Sequence, residues 1–148
     1  MKKAFIILLI FGIGFCSCKQ NESAEILIGT TLLSNQNKSK NKELKSLISD
    51  ALKGNETALS KLNKFPCGGG AGCYDLGFVI SQIIYKVGEE EIITMIGKLG
   101  KEEIRGFEGL ISVGLEYGDN DNDGEMDNRK IQIEFPRLLN TLNQKENE

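Results

Sequence analysis

Histidine and tryptophan are both absent from this chain. Without histidine there is no Ser-His-Asp or Cys-His nucleophile, no usual general base near neutral pH, and none of the commonest zinc, copper or iron sites. Without tryptophan, and with three tyrosines in all, an aromatic-lined sugar cleft has little to be built from. Paired carboxylates are the remaining route to acid/base chemistry. No basic cluster is present and the formal net charge is -3, which argues against nucleic-acid binding. A basic, surface-active amphipathic helix is missing too. No apolar run reaches the ~20 residues that a membrane-spanning helix needs. Enzymatic function is therefore not expected.

The N-terminus carries the clearest address. Lys2 and Lys3 precede an apolar segment over residues 4–15, and Gly14-Phe15-Cys16-Ser17-Cys18 supplies small residues before a candidate processing site. This resembles a bacterial lipoprotein signal, with Phe15 where an aliphatic residue is usual and Cys16 where Ala, Ser or Thr is. The resemblance implies cleavage after Ser17 and diacylation of Cys18; an ordinary cleaved secretory signal is the alternative. It divides the chain into a signal peptide (1–17), a lipidated N-terminus with a polar tether (18–42) and a helical domain (43–148). Cleavage takes the net charge to -5, since Lys2 and Lys3 leave. Lys19, standing where some signals have Asp, is similar to signals that permit outer-membrane sorting. The expected location is the bacterial cell membrane or outer membrane, with the domain facing the periplasm or the exterior.

Of four cysteines, Cys16 leaves with the signal and Cys18 takes lipid, so Cys67 and Cys73 remain as a pair. In an oxidising envelope a disulfide is their expected state. The spacing is not Cys-x-x-Cys, which favours a structural bridge worth roughly 2 kcal/mol over a redox site.

Apolar spacing along the chain is helical. Leu44, Leu47, Ile48, Ala51 and Leu52 follow one helix face, with Gly54 as a left-handed stop and Asn55 as the next N-cap. Ala58, Leu59 and Leu62 continue the pattern, and Leu76, Val79, Ile80, Ile83, Ile84 and Val87 form the strongest stripe, ended by Gly88. Further stripes run through Ile92, Met95, Ile96 and Leu99, and through Ile104, Phe107, Leu110, Ile111 and Leu115. Residues 130–135 alternate and are compatible with an extended segment, after which Pro136 opens a last helix. Residues 34–42 contain nothing apolar and read as a solvated linker, while Ile26-Leu27-Ile28 and Leu32-Leu33 are expected to form a short helix docking on the domain, a membrane-proximal patch being the alternative. Similar joints at Gly54 and Gly88, 34 residues apart, are compatible with stacked hairpins, convergent use of glycine stops being the alternative. The predicted fold is all-α, built of antiparallel helical hairpins with stacking like that of HEAT or tetratricopeptide repeats.

Residues 119–127, Asp-Asn-Asp-Asn-Asp-Gly-Glu-Met-Asp, form the sharpest motif. They resemble the first part of an EF-hand calcium loop, with oxygen ligands at alternating positions and glycine sixth. The resemblance implies calcium held by the side chains of Asp119, Asp121 and Asp123, the carbonyl of Glu125, and Asp127 directly or through water. Lys130 occupies position twelve, where that family has a bidentate Glu, so any calcium site is a weak structural one. The plain alternative is an exposed acidic loop.

The glycine-rich segment 65–75 lacks the lysine and Ser/Thr of a phosphate loop and reads as a disulfide-pinned entry to a helix. Its glycines call for some close approach by a helix or a bound protein. Glu89-Glu90-Glu91 and Glu102-Glu103 sit in first turns, where carboxylates complement the helix dipole.

These readings combine into an expectation of a lipid-anchored, non-enzymatic protein-binding module of the envelope. Immunity proteins that block envelope-directed toxins are a class-level analogy. A calcium-stabilised structural or adhesion lipoprotein is the second expectation. A carboxylate-based glycan hydrolase using Asp75, Glu116 and Asp119 is the least favoured. The partners implied are the membrane, through lipid, and a protein, with no nucleic acid.

Overall fold

The computed structural model describes residues 26–147. Its helices are α1 (Thr30–Ser34), α2 (Lys38–Ala51), α3 (Glu56–Asn63), α4 (Gly70–Val87), α5 (Glu89–Met95), α6 (Lys101–Tyr117), α7 (Ile131–Glu134) and α8 (Pro136–Asn147), with a 3-10 turn over Ile96–Lys98. The architecture is an all-α bundle, and among the described residues there is no strand. No described helix is long and apolar enough to cross a membrane.

Two helices form the centre. The apolar stripe of α4 buries Leu76, Val79, Ile80, Ile83 and Ile84, and α6 answers with Ile104, Phe107, Ile111 and Leu115. Each such side chain is worth about 1.5–3 kcal/mol of burial, so this seam dominates the fold's stability. The two backbones meet at Gly77 and Gly114, where a Cβ on either would overlap the other helix's main chain. Around them, α2 and α3 pack as a hairpin, α1 lies on α4, and α8 closes the far side against α5 and α6 with Leu138 and Leu142.

The local signals work as their chemistry requires. Gly54 has φ 81°, the left-handed conformation of a helix stop, and the Asn55 side chain accepts from the Ala58 amide at 3.0 Å. Pro136 is the first residue of α8.

Two expectations are corrected. Residues 34–42 are not a solvated linker: α2 begins at Lys38, capped by Asn37, and Asn41 donates to the Leu33 carbonyl at 2.9 Å. A polar stretch needs no apolar residue of its own when it extends the exposed end of an amphipathic helix. Among the described residues the packed structure includes positions before residue 43, with Ile26 and Leu32 buried. Residues 130–135 are not extended either. Ile131 and Phe135 are buried while Ile133 is 74% exposed, which is the i, i+4 pattern of the helical turn α7 and not the alternation of a strand.

The N-terminal segment is clamped to α4 by two side chains. Gln82 exchanges hydrogen bonds with both the N–H and the carbonyl of Leu27, each at 2.9 Å. Asp75 accepts from the Leu32 amide at 2.8 Å and so satisfies the N-terminus of α1 from outside that helix.

Candidate functional site

One face of α4 carries Tyr74, Phe78, Ser81 and Tyr85, spaced to recur on successive turns. The loop after α6 folds back along this face. Its returning limb runs beside the end of α6, with amides of Asp127, Asn128 and Arg129 donating to the carbonyls of Gly118, Glu116 and Leu115 at 3.0–3.1 Å. Asn120 fastens the middle. Its side-chain oxygen accepts from the buried Ser81 hydroxyl at 2.7 Å, and its amide group donates to the Gly114 carbonyl and to Asp127 Oδ2. Every polar atom of the Asn120 side chain is thereby satisfied, as a rigid buried network demands.

The carboxylates of the loop also shape it. Asp119 accepts from the amides of Asp123 and Gly124 at 2.9 and 3.1 Å, and Asp123 accepts from the Glu125 amide at 2.8 Å. Such bonds close tight turns, here with Asn122 at φ 61° and Gly124 at φ 91°. One oxygen from each of Asp119, Asp121 and Asp123 lies within 4.8 Å of the others, an arrangement able to chelate a divalent ion.

The fit to calcium is partial. Asp127 does not join this group: its carboxylate is 3% exposed and is used by Asn120 and Arg129. Lys130, at the twelfth position, pairs with Glu116 at 3.3 Å. Glu125 is exposed, and its amide serves the turn at Asp123.

A cation of the protein's own already sits at the loop. Arg129 Nη2 lies 2.8 Å from Asp121 and 3.2 Å from Asp127, and Nη1 lies 3.3 Å from the Tyr85 hydroxyl and 3.8 Å from Glu134. Hydrogen bonding to Tyr85 comes first among the causes that hold the guanidinium's pKa above its ordinary value. Tyr85 donates to Glu134 at 2.5 Å, and its pKa is pushed up to about 12, first by burial and then by that bond. Tyr74 and Tyr117 flank the opposite end, their rings stacked with centroids 4.6 Å apart and planes 13° from parallel.

The other predicted residues fall elsewhere. Cys67 and Cys73 form the disulfide, with Cα atoms 4.8 Å apart, and α4 starts at Gly70, so Cys73 belongs to its first turn. The glycine stretch is closely approached from within the molecule: Asn35 packs on Gly68 and Gly72 and donates to the Cys67 carbonyl at 3.2 Å, and Gln36 donates to that of Pro66. Cys18 and the signal segment lie outside the described residues. The three carboxylates of the hydrolase reading all have structural partners: Asp75 serves α1, Glu116 pairs with Lys130 and Asp119 holds the loop turn.

Arg129, Tyr85, Asn120 and Ser81 were not legible as a group in the sequence. A serine within the most apolar stripe and two tyrosines 11 residues apart on one helix are the signals that point to them. Comparison with protein-family models, with curated proteins and with solved structures finds no match.

Proposed function

We propose that this chain is a lipid-tethered, non-enzymatic protein-binding module of the bacterial cell envelope, acting in the manner of immunity-type inhibitors. The observation that carries the reading is the 119–129 loop, an acidic surface whose backbone is held by its own carboxylates and by Asn120 and Arg129. A surface ordered before it meets its partner loses little conformational entropy on binding, which favours affinity. Its charge suits a basic cleft. Residues 18 and 26 are eight steps apart, so a lipid on Cys18 would hold the domain within roughly 30 Å of its anchor. The glycine joints at Gly54 (φ 81°) and Gly88 (φ 88°) support a hairpin-stacking description of the remaining surface. Crosslinking pull-down of the tethered protein should recover an envelope or secreted protein; recovery of none removes the proposal.

A second reading, a calcium-stabilised surface component, is favoured by the convergence of Asp119, Asp121 and Asp123. Calorimetry with millimolar calcium decides it, and an unchanged melting temperature would end it.

A further inference from the structure

Basic charge is not shared evenly along this acidic chain. No run of consecutive basic residues marks the α2–α3 hairpin, yet residues 38–66 hold seven lysines against three carboxylates, whereas residues 67–148 hold eight basic side chains against sixteen. An open cavity of about 410 Å³ lies in that hairpin. It is lined by Lys40 of α2, by Thr57, Ser60, Lys61 and Lys64 of α3 and its C-cap, and by Phe65 and Pro66 just beyond. The α3 residues recur at i, i+3, i+4 and i+7, so they share one face. Lys40 is held over the Phe65 ring, 5.9 Å from its centroid. Three lysines thus line one space whose single carboxylate is Glu43. Lys40 pairs with Glu43 at 2.8 Å and Lys64 with Glu103 at 2.7 Å, whereas Lys61 has no carboxylate partner among the described residues. An ammonium has three donors, so neither pair exhausts its lysine. The adjoining cavity of about 290 Å³ shares Thr57, Ser60 and Lys64 but is balanced in charge, with Lys98 bonded to Glu56 at 2.7 Å and Lys64 to Glu103. Excess positive charge is therefore confined to the α2 side.

We infer that the α2–α3 cavity binds a small organic phosphomonoester, with the phosphate on Lys61, Lys64 and Thr57 and the organic body against Phe65 and Pro66. Lysines act on phosphate as point charges, while a planar carboxylate is matched best by the arginine fork, and residues 38–66 contain no arginine. Phosphate alone would leave the apolar side of the lining uncovered, so an attached body completes the fit. A lipid headgroup and a soluble phosphate ester carry this same chemistry. None of the lining residues belongs to the 119–129 loop, so the site stands apart from the protein-binding reading above.

The test is titration of the full chain, followed by NMR, with phenyl phosphate, phenylacetate, a short-chain soluble phosphatidic acid and a Gly-Glu repeat peptide. Phenyl phosphate is expected to shift Thr57, Lys61, Lys64 and Phe65 ahead of Lys38, Lys42 and Lys45, to bind more tightly than phenylacetate, and to weaken in high salt. Lys61→Gln should weaken it about five- to tenfold and Lys61→Arg should restore it. Thr57→Val should weaken it by a smaller factor, since a neutral donor is lost. Tighter binding of the phosphatidic acid than of phenyl phosphate, with the same dependence on Lys61, assigns the site to a lipid headgroup; the reverse order assigns it to a soluble ester. No saturable binding of phenyl phosphate, affinity indifferent to Lys61→Gln, or shifts spread evenly over the lysines of α2 would overturn the inference. Equal or tighter binding of phenylacetate or of the Gly-Glu peptide would overturn it too, the latter in favour of an acidic protein segment.

Discussion

Gly77 of α4 and Gly114 of α6 face one another at the point where the two central helices touch, each occupying the space a Cβ on the other would need. Close backbone approach there lets the flanking stripes interdigitate, and both glycines are buried. Glycine in a helix interior costs up to about 1 kcal/mol relative to alanine, so its presence in both helices is explained by the crossing.

Gly114→Ala should reverse the usual helix preference and destabilise the protein by about 1–3 kcal/mol through overpacking. Urea unfolding monitored by circular dichroism reads this out. A variant of wild-type stability would show that the helices can separate at no cost.

Asp75→Ala should cost about 1 kcal/mol, because the N-terminus of α1 loses its acceptor for the Leu32 amide. The effect should be local. Hydrogen exchange at Leu32 is expected to accelerate while amides in the middle of α4 keep their protection, and Asp75→Asn should recover part of the loss.

Replacing Arg129 with Gln should destabilise the loop by roughly 1–2 kcal/mol, since Asp121 and Asp127 lose a charged hydrogen-bond partner. The same change removes positive charge from beside the Asp119, Asp121 and Asp123 oxygens. Calcium should therefore raise the melting temperature of Arg129→Gln more than that of the wild type. Equal shifts would mean that the guanidinium does not compete with an ion.

Alkaline pH should loosen the contact between α4 and the loop. The folded pKa of Tyr85 is about 12, above its ordinary value of 10.0. Its contribution is thus fully present below about pH 10 and lost as pH rises toward 12. Tyrosinate absorbance should show Tyr85 ionising late, and Tyr85→Phe should remove that late step.

Reduction of the Cys67–Cys73 bridge, or its replacement by alanines, should cost about 2 kcal/mol, near the low end for so short a loop. Exchange at the start of α4 and at Asn35 and Gln36 should rise with it, because these residues hold the glycine stretch. Unchanged protection there would separate the disulfide from the α1–α2 corner.

Much of the fold is legible locally. Helical periodicity identifies α2 to α6, since an apolar stripe at that spacing has no other way to be buried together. Gly54, Asn55 and Pro136 act through their own backbone and side-chain chemistry, which depends on near neighbours alone. The start of α2 at Lys38 was hidden, because an exposed helical turn and a solvated linker share one composition. The alternation in residues 130–135 misled for a related reason: four or five residues satisfy both periods until a core selects Ile131 with Phe135.

The candidate site divides the same way. Its carboxylates and turn residues are consecutive, so the acidic loop and its ligand-like spacing at Asp119, Asp121 and Asp123 stand in the sequence. Arg129 reaching Tyr85 across 44 positions, Ser81 meeting Asn120 across 39, and the pairing of Tyr74 with Tyr117 depend on α4 lying along α6. By itself, then, the sequence determined a histidine-free helical chain, its disulfide pair and an acidic turn, because periodicity, composition and short-range bonding are local. Only the tertiary structure decided which carboxylates converge, which already hold an arginine and which tyrosines stack, because those are relations between helices that only the packed core brings together.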